Sequence, residues 1–182
     1  LLFQPQSAIT GLLTTVMDGE RRFLLQARAE PGTLGQAQYG PTLQSTPANY
    51  LRAHGGKATA YVDRFTTCTP SLRVLHDSMQ LDLGERYLLK SKRLIVAECA
   101  PDIALEEGFV WVAARVISQA IRQPTFFNID LCSLLAVCAW DEPGEGQLRP
   151  VEPAAQASLQ LPVRAERLAA VLAERHGPNA RY

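Results

Sequence analysis

Residues 7–30, SAITGLLTTVMDGERRFLLQARAE, carry the pattern that decides the fold. Two apolar runs lie on either side of Asp18-Gly19, and a glycine after an aspartate supplies the positive φ that a tight hairpin turn requires. The pattern therefore predicts an antiparallel β-hairpin near the start of the chain. Pro31-Gly32 marks the next turn.

Further strands are predicted on the C-terminal side of this hairpin. Residues 36–46, QAQYGPTLQST, alternate small or apolar residues with glutamine, and Pro41 restricts such a strand to a sheet edge or a bulge. Thr46 and Pro47 then predict the start of a short helix that the glycines at 55 and 56 end. Strand-like runs follow at residues 72–83, 86–91 and 93–99.

Two helices are predicted after these strands. Apolar residues at helical spacing indicate the first helix, from about Phe109 to Arg122, and Pro124 closes it. Asn128 is expected to cap the second helix, IDLCSLLAVCA, with Asp130 in its first turn, where the helix dipole favours a carboxylate. A set of mostly antiparallel strands followed by helices predicts an α+β fold.

The 182 residues suit one compact domain with a tail, and we expect that domain to cover residues 1–140. Residues 141–161 are rich in Pro, Gly, Glu and Ala, which predicts a linker or a disordered stretch. A C-terminal helix and tail are expected over residues 162–182. Such a helix is expected to dock either on its own domain or on a sister subunit.

Composition and charge exclude several classes of partner. Lys+Arg and Asp+Glu number 18 each, so the chain lacks the basic excess that duplex nucleic acid or an anionic membrane requires. No apolar run reaches the roughly 18–20 residues of a membrane span, and the first residues do not resemble a signal peptide. The cysteines lack metal-ligand spacing, so we expect reduced thiols, a cytoplasmic location and no metal site. They are Cys68, Cys99, Cys132 and Cys138.

Residues 30–56 contain an unusual density of polar side chains that can direct hydrogen bonds. Asn and Gln donate and accept at once, Arg holds a phosphate bidentately, Tyr stacks on a base or sugar, and His can act as a general base. The alternative is structural: a capping Asn, a half-buried Tyr and a solvated His. The candidate binding residues in this segment are Gln44, Asn49, Tyr50, Arg52 and His54.

A second candidate cluster is basic. Alternation along a strand places Lys90 and Lys92 on the same side, where both can meet an anion, and Arg93 follows directly. The alternative is an ordinary solvated strand face.

These segments resemble the repeat signature of the NDP-hexose 2,3-dehydratases. FLLQARAEPG is similar to the family's Q-A-K-x-E-P-G, and QAQYGPTLQSTPANYLRAH is similar to its Q-L-S-P-T-x-Q-A-T-x-S-N-Y followed by R-x-H. VLHDSMQ, YLLKSKR and FFNIDLCSLLA are similar to its V-L-x-S-E-Q-G, F-L-x-K-x-N-R and N-x-D-x-R-x-x-L. The resemblance covers about residues 11–140 in a constant order. It implies a Nudix-like α+β fold, with a mixed or antiparallel sheet and flanking helices; the sequence contains no Nudix box.

The resemblance implies a lyase of antibiotic deoxysugar biosynthesis. These enzymes remove the 2-hydroxyl of TDP-4-keto-6-deoxyhexoses by β-elimination across C2 and C3, and the product tautomerises to a 3,4-diketosugar. Because the 4-ketone acidifies the C3 proton, the reaction needs a base, a donor that stabilises the enolate oxygen and an acid for the leaving hydroxyl. It requires no redox cofactor and no metal.

By resemblance, three groups of residues take roles in that reaction. The residues that would hold the nucleotide sugar are Gln44, Asn49, Tyr50 and Arg52. Lys90 and Arg93 would face the phosphates, and His54 or Glu30 would act as the acid or base.

The sequence also departs from the family pattern. Pro47 stands where the family usually has an arginine, Tyr39-Gly40 replaces Leu-Ser, and Met79 stands where a glutamate is usual. These changes remove charge and suit a more apolar ligand than a sugar diphosphate, such as an aromatic natural product. Tyr39 and Met79 are therefore further candidate ligand contacts.

Three functions are compatible with the sequence. A catalytic member would act on a nucleotide 4-ketohexose, a repurposed member would bind a natural product or pathway intermediate without catalysis, and an accessory protein would pair with a full-length partner. The first is favoured by the retained residues Gln44, Asn49, Tyr50, Arg52 and His54, and the second by the changes at Pro47 and Met79. The family carries two repeats in one chain and this chain has one, so we expect a homodimer.

Overall fold

The computed structural model describes residues 2–3, 6–31, 37–53, 55–67, 71–82, 87–88 and 90–137. The strands are β1 Leu2–Phe3, β2 Ala8–Met17, β3 Glu20–Arg28, β4 Gln38–Gly40, β5 Leu43–Ser45, β6 Arg73–Leu81, β7 Tyr87–Leu88, β8 Ser91–Glu98 and β9 Phe109–Ala113. The helices are α1 Pro47–Tyr50, α2 Val62–Thr66, α3 Ala114–Ala120 and α4 Ile129–Ala136. These elements belong to one compact unit, residues 1–151. The linker and C-terminal helix expected from the sequence lie outside the described residues.

The N-terminal hairpin predicted from the sequence is confirmed. Residues 14–17 of β2 pair antiparallel with residues 20–23 of β3. Asp18 and Gly19 have φ of 53° and 74°, which matches the twist of a two-residue hairpin turn. β8 pairs in parallel with the other edge of β2, and β6 and β9 add antiparallel ladders, so the sheet is mixed. The α+β class is confirmed.

The two strands of the hairpin separate away from their turn, and residues 38–45 occupy the space between them. β2 pairs with β3 at residues 14–17 but with β5 at residues 9–11. β3 pairs with β2 at residues 20–23 but with β4 at residues 26–28. Pro41 lies where the chain crosses from one ladder to the other, as expected of a residue without an N–H. We call this arrangement the fork.

One buried hydroxyl links the two arms of the fork. Thr42 Oγ1 accepts a hydrogen bond from the backbone N–H of Leu13 at 2.9 Å and donates to the carbonyl of Leu24 at 2.6 Å. Thr42 is almost completely buried. Both backbone groups therefore depend on this side chain for a partner.

Apolar clusters cover both faces of the sheet. Successive residues of β2 enter different clusters: Leu12 packs with residues of α3 and α4, whereas Leu13 packs with Phe65 of α2. β8 is buried from Leu94 to Ala97 for the same reason, since a strand covered on both sides is apolar throughout. The core thus holds the fork rigidly.

The first predicted helix is wrong over its initial part. Residues 109–113 form β9, which pairs with residues 22–26 of β3, and α3 covers Ala114–Ala120 alone. The residues FVWV are aromatic or β-branched and favour a strand where a partner edge is available, as β3 provides here. Over so few residues, the strand and helix periods match the apolar pattern equally well.

The second predicted helix is confirmed, including its cap. Asn128 Oδ1 accepts a hydrogen bond from the N–H of Leu131 at 2.9 Å, and Asp130 lies in the first turn of α4. Thr46 precedes α1 as expected, although its side chain makes no cap hydrogen bond. Among the described residues, no helix has the length and apolar character to cross a membrane.

Candidate functional site

Two cavities adjoin the segment that fills the fork. The first has a volume of about 410 Å³ and the second a volume of about 380 Å³, a size that suits small molecules. Four residues line both cavities and form a shared wall: Arg28, Gln44, Ser45 and Asn49. We call the two cavities together the cleft.

The first cavity is lined by charged side chains that are exposed to solvent. They are Arg52, Lys57, Glu106 and Glu107. Half-buried Phe109 adds an aromatic surface. Tyr61 fixes this part of the lining, because its hydroxyl accepts from the N–H of Glu106 and its ring meets Phe109 edge to face at 4.9 Å between centroids.

The second cavity contains four charges that pair with one another. Lys92 Nζ lies 2.5 Å from Asp130 Oδ1 and 3.9 Å from Asp82 Oδ1, and Lys90 Nζ lies 3.5 Å from Asp82 Oδ2. Each side chain keeps between 11% and 18% of its full exposure. The Lys90 ammonium also lies 4.1 Å from the centre of the Tyr87 ring, a cation–π distance. We call these four residues the ion quartet.

Local structure explains why the ion quartet forms. Lys92 lies on β8, and Lys90 immediately precedes that strand. The N–H of Asp82 donates to the carbonyl of Lys90 at 2.9 Å, which extends the β6–β8 ladder by one step. Asp130 reaches the same place from the first turn of α4. Asn128 anchors this helix end, because its Nδ2 donates to Gln44 Oε1 of β5 at 2.9 Å.

Arg28 stands at the shared wall of the two cavities. Its Nε donates to Glu30 Oε1 at 2.9 Å, and its Nη1 donates to Gln26 Oε1 at 2.8 Å. Although Glu30 pairs with it, Arg28 is the one cationic residue among the four that form the shared wall.

The structure brings five of the residues proposed from the sequence to the cleft. Gln44 and Asn49 line both cavities, Arg52 lines the first, and Lys90 and Lys92 line the second. Lys90 and Lys92 share one side of their strand, as alternation predicts, since both contact Asp82. His54 lies outside the described residues.

The other proposed residues do not line either cavity. Arg93 Nε donates to Asp77 Oδ1 at 2.8 Å, because neighbouring strand residues point to opposite faces and Lys92 already points to the cleft. Met79, the strand partner of Arg93, is 55% exposed. Tyr39 packs against Phe126 with their ring centres 5.4 Å apart.

The remaining two proposed residues have structural contacts. Tyr50 packs against the apolar cluster that contains Phe65. Glu30 forms an ion pair with Arg28, with Nη2 and Oε1 2.8 Å apart, and lines neither cavity. Neither role is a direct contact with a ligand.

Sequence reasoning missed Arg28, Asp82 and Asp130 as site residues. Two of these positions had a signal in the motifs themselves: Arg28 stands at the basic position of QARAEPG, and Asp130 at the aspartate of N-x-D. We interpreted Asp130 as a helix-dipole residue alone. Asp82 had no such signal, because its partners follow from the β6–β8 pairing.

Several titratable groups have shifted pKa values outside the cleft. Burial lowers the pKa of His76, whose Nε2 lies 2.8 Å from Ser78 Oγ. A hydrogen bond from Arg93 lowers the pKa of Asp77. Burial raises the pKa of the free Cys99 thiol to about 11, so this group is an inert thiol at neutral pH. Among the described residues, no His, Cys, Asp and Glu side chains group in a way that could hold a metal ion.

Comparison with known proteins adds a family to this geometry. The family model described as NDP-hexose 2,3-dehydratase matches residues 1–138. A dTDP-4-dehydro-6-deoxy-α-D-glucopyranose 2,3-dehydratase of Streptomyces violaceoruber is 36% identical over 148 residues, covering 81% of this chain and 33% of that protein. An enzyme of the same name from Amycolatopsis orientalis is 32% identical, covering 76% of this chain and 29% of that protein. The chain thus spans about a third of the length of these curated relatives.

Among solved structures, Nudix hydrolases resemble the chain. A Nudix hydrolase from M. smegmatis matches with a TM-score of 0.45 and 12% identity, covering 74% of this chain and 84% of that one. The Ap4A hydrolase of C. elegans matches with a TM-score of 0.42 and 17% identity, covering 73% of this chain and 95% of that one. Likenesses at this level say nothing about activity.

Proposed function

Because the chain belongs to the NDP-hexose 2,3-dehydratase family, we propose that it removes the 2-hydroxyl of a TDP-4-keto-6-deoxyhexose. The observation that carries this proposal is the ion quartet in the second cavity, which shares a wall of four residues with the first cavity. A nucleotide sugar consists of a sugar and a nucleoside joined by a diphosphate. The cleft consists of a cavity with the ion quartet and a cavity with exposed charges, and Arg28 lines both. The sugar fits the ion quartet, and the nucleoside fits the cavity with Phe109 and Arg52.

The ion quartet contains the groups that a β-elimination needs. A carboxylate takes the proton from C3, and an ammonium donates a proton to the 2-hydroxyl, which leaves as water while the C2–C3 double bond forms. The second ammonium stabilises the enolate oxygen at C4. We assign Asp130 as the base and Lys92 as the acid, since their direct contact lets the proton return from Asp130 to Lys92 after each turnover.

The non-catalytic alternative loses the observation that favoured it. It relied on the changes at Pro47 and Met79, which replace charged residues of the family pattern. Neither residue lines a cavity of the cleft. The charges that do line the cleft are therefore left intact by these changes, and they suit a nucleotide sugar better than an apolar natural product.

A turnover assay tests the proposal. The purified protein is incubated with a TDP-4-keto-6-deoxyhexose, and release of the 2-hydroxyl is followed by NMR. Lys92→Met keeps the length of the side chain and removes the ammonium, so we expect kcat to fall by about a hundredfold or more. Arg122→Met removes an exposed charge away from the cleft and should leave kcat unchanged. Full turnover by Lys92→Met, or none by the wild type, would overturn the proposal.

We also propose that the chain works as a homodimer in the cytoplasm. By the resemblance, a family chain contains the repeat signature twice and these residues contain it once, so a second copy of this unit would supply the other repeat. The free thiols of Cys99 and Cys132 suit a reducing compartment. Light scattering at micromolar concentration tests the first point, since a monomer mass would contradict it. Fractionation of the producing cells tests the second.

A further inference from the structure

The side chain of Arg28 packs directly against the backbone of Gly40. It is buried at the end of β4, opposite Gln26 in the ladder with β3. A Cβ atom built on Gly40 would lie 2.7 Å from Arg28 Cδ and 2.9 Å from Asn128 Nδ2. Both distances are shorter than a carbon atom tolerates, so any side chain at this position displaces a neighbour.

Of the two neighbours, Arg28 is the one that can move. Asn128 is held at three points: Oδ1 accepts from Leu131, Nδ2 donates to Gln44, and its N–H donates to the carbonyl of Tyr39. Arg28 Cδ belongs to a flexible side chain whose guanidinium donates to Gln26, which lines the first cavity, and to Glu30, which lines neither. A larger residue at 40 therefore pushes the guanidinium away from the shared wall.

The position of the Arg28 guanidinium determines which part of a ligand it can contact. A ligand that occupies both cavities must cross the shared wall, whose members are Arg28, Gln44, Ser45 and Asn49. In a nucleotide sugar, the diphosphate is the part that crosses. The planar guanidinium of an arginine can donate two parallel hydrogen bonds to phosphate oxygens, and Gln44 and Asn49 add neutral donors.

We infer that Gly40 is a positioning residue, whose missing side chain keeps Arg28 at the shared wall, where Arg28 binds the diphosphate of the ligand. This inference rests on the proposed function for the identity of the ligand. The steric part of it rests on the geometry of Gly40 alone.

A double-mutant cycle tests the inference. The variants are Gly40→Ala, Arg28→Ala and their combination, and the probes are TDP and inorganic pyrophosphate, titrated by calorimetry. We expect Arg28→Ala to weaken TDP binding on the order of tenfold to a hundredfold, as for a lost hydrogen bond to a charged group. Gly40→Ala should weaken it roughly threefold to tenfold, and should add nothing when Arg28 is already alanine. Equal losses in both backgrounds would overturn the inference.

Two further measurements separate positioning from a general structural effect. The NMR resonance of the Arg28 Nε–H, identified by its loss in Arg28→Ala, should shift in ligand-free Gly40→Ala. Gly11→Ala is the matched control, since a Cβ there would lie 2.5 Å from the Phe65 ring in the core. It should lower stability without shifting that resonance. An unmoved Arg28 resonance in Gly40→Ala would overturn the inference.

The remaining outcomes are also decisive. The contact with Asn128 Nδ2 persists in every alanine variant at position 40, so the stability loss on Gly40→Ala is measured by urea denaturation in the wild-type and the Arg28→Ala backgrounds. A smaller loss in the Arg28→Ala background supports the inference, and equal losses would overturn it. If the wild type binds neither TDP nor pyrophosphate, the diphosphate assignment and the proposed function fail together. If the wild type turns over the sugar nucleotide and Arg28→Ala binds TDP unchanged, the diphosphate assignment alone fails.

Discussion

The two cavities of the cleft differ in how they hold charge. In the second cavity, the ion quartet is buried and each charge has an opposite charge within 4 Å. In the first cavity, Arg52, Lys57 and the two glutamates are exposed to water. Buried charges are weakly screened and are costly to leave unpaired, whereas exposed charges are screened by salt and contribute little to stability. Under the proposed function, the second cavity would hold the reacting groups and the first would bind the nucleoside.

The largest effect is expected on removal of one member of the ion quartet. Asp130→Ala leaves Lys92 without its nearest carboxylate in a largely buried place, so the free energy of unfolding should fall by roughly 3 kcal/mol. Urea denaturation followed by circular dichroism measures this loss, and kcat should become undetectable.

The double variant Lys92→Met/Asp130→Leu is the control for that prediction. An apolar pair of similar volume should restore most of the stability and none of the turnover, because an ion pair and a packed apolar pair are close in stability while only the former transfers protons. If the double variant recovered both its stability and its turnover of the nucleotide sugar, the ion pair would not be the catalytic group that distinguishes the second cavity from the first.

An intermediate effect is expected in the fork, whose β5 strand supplies Gln44 and Ser45 to the shared wall. Thr42→Val leaves the N–H of Leu13 and the carbonyl of Leu24 without a partner. The free energy of unfolding should therefore fall by about 2 kcal/mol. Thr42→Ser keeps the hydroxyl and should lose much less. Equal losses in urea denaturation for the two variants would show that packing, and not the hydroxyl, holds the fork.

The smallest effect on stability is expected in the first cavity. Arg52→Ala and Lys57→Ala remove exposed charges, so the unfolding free energy should change by less than about 0.5 kcal/mol. The KM for the nucleotide sugar should rise a few-fold at low salt, and the difference from wild type should shrink as NaCl is raised to about 0.5 M. A difference in KM that salt leaves unchanged would mean that these side chains make buried contacts.

The fold could be predicted where local chemistry determines it. Asp18-Gly19 specifies the hairpin and Asn128 marks the start of α4, whereas the single strand predicted over residues 36–46 is divided at Pro41 into β4 and β5. β9 could not be predicted in the same way, because whether FVWVA forms a strand or a helix depends on the edge of β3, more than eighty residues earlier. Local pattern carries no information about that edge.

In the candidate site, too, some residues could be predicted from local sequence and others only from the topology. Gln44 and Asn49 were predicted from a dense polar segment, and they line the cleft because that segment fills the fork. Asp82 and Asp130 are site residues because the β6–β8 ladder and α4 place them beside Lys90 and Lys92. These ion pairs can be inferred only when the topology is known. From the sequence alone, each residue is explained by its own strand or helix.

The parallel pairing of β2 with β8 also has a consequence for how the protein folds. Ala8 lies opposite Lys92, so this ladder closes a loop of most of the domain, whereas the hairpin closes a loop of two residues. Long-range parallel pairing forms slowly, since loop closure must precede any gain in contacts. The hairpin can therefore form early during synthesis, but Lys92 and Asp130 meet only after α4 has been made. Nascent chains that end before α4 would contain folded sheet segments and a Lys92 that has Asp82 as a partner but lacks Asp130, a state that chaperones can bind before the site exists.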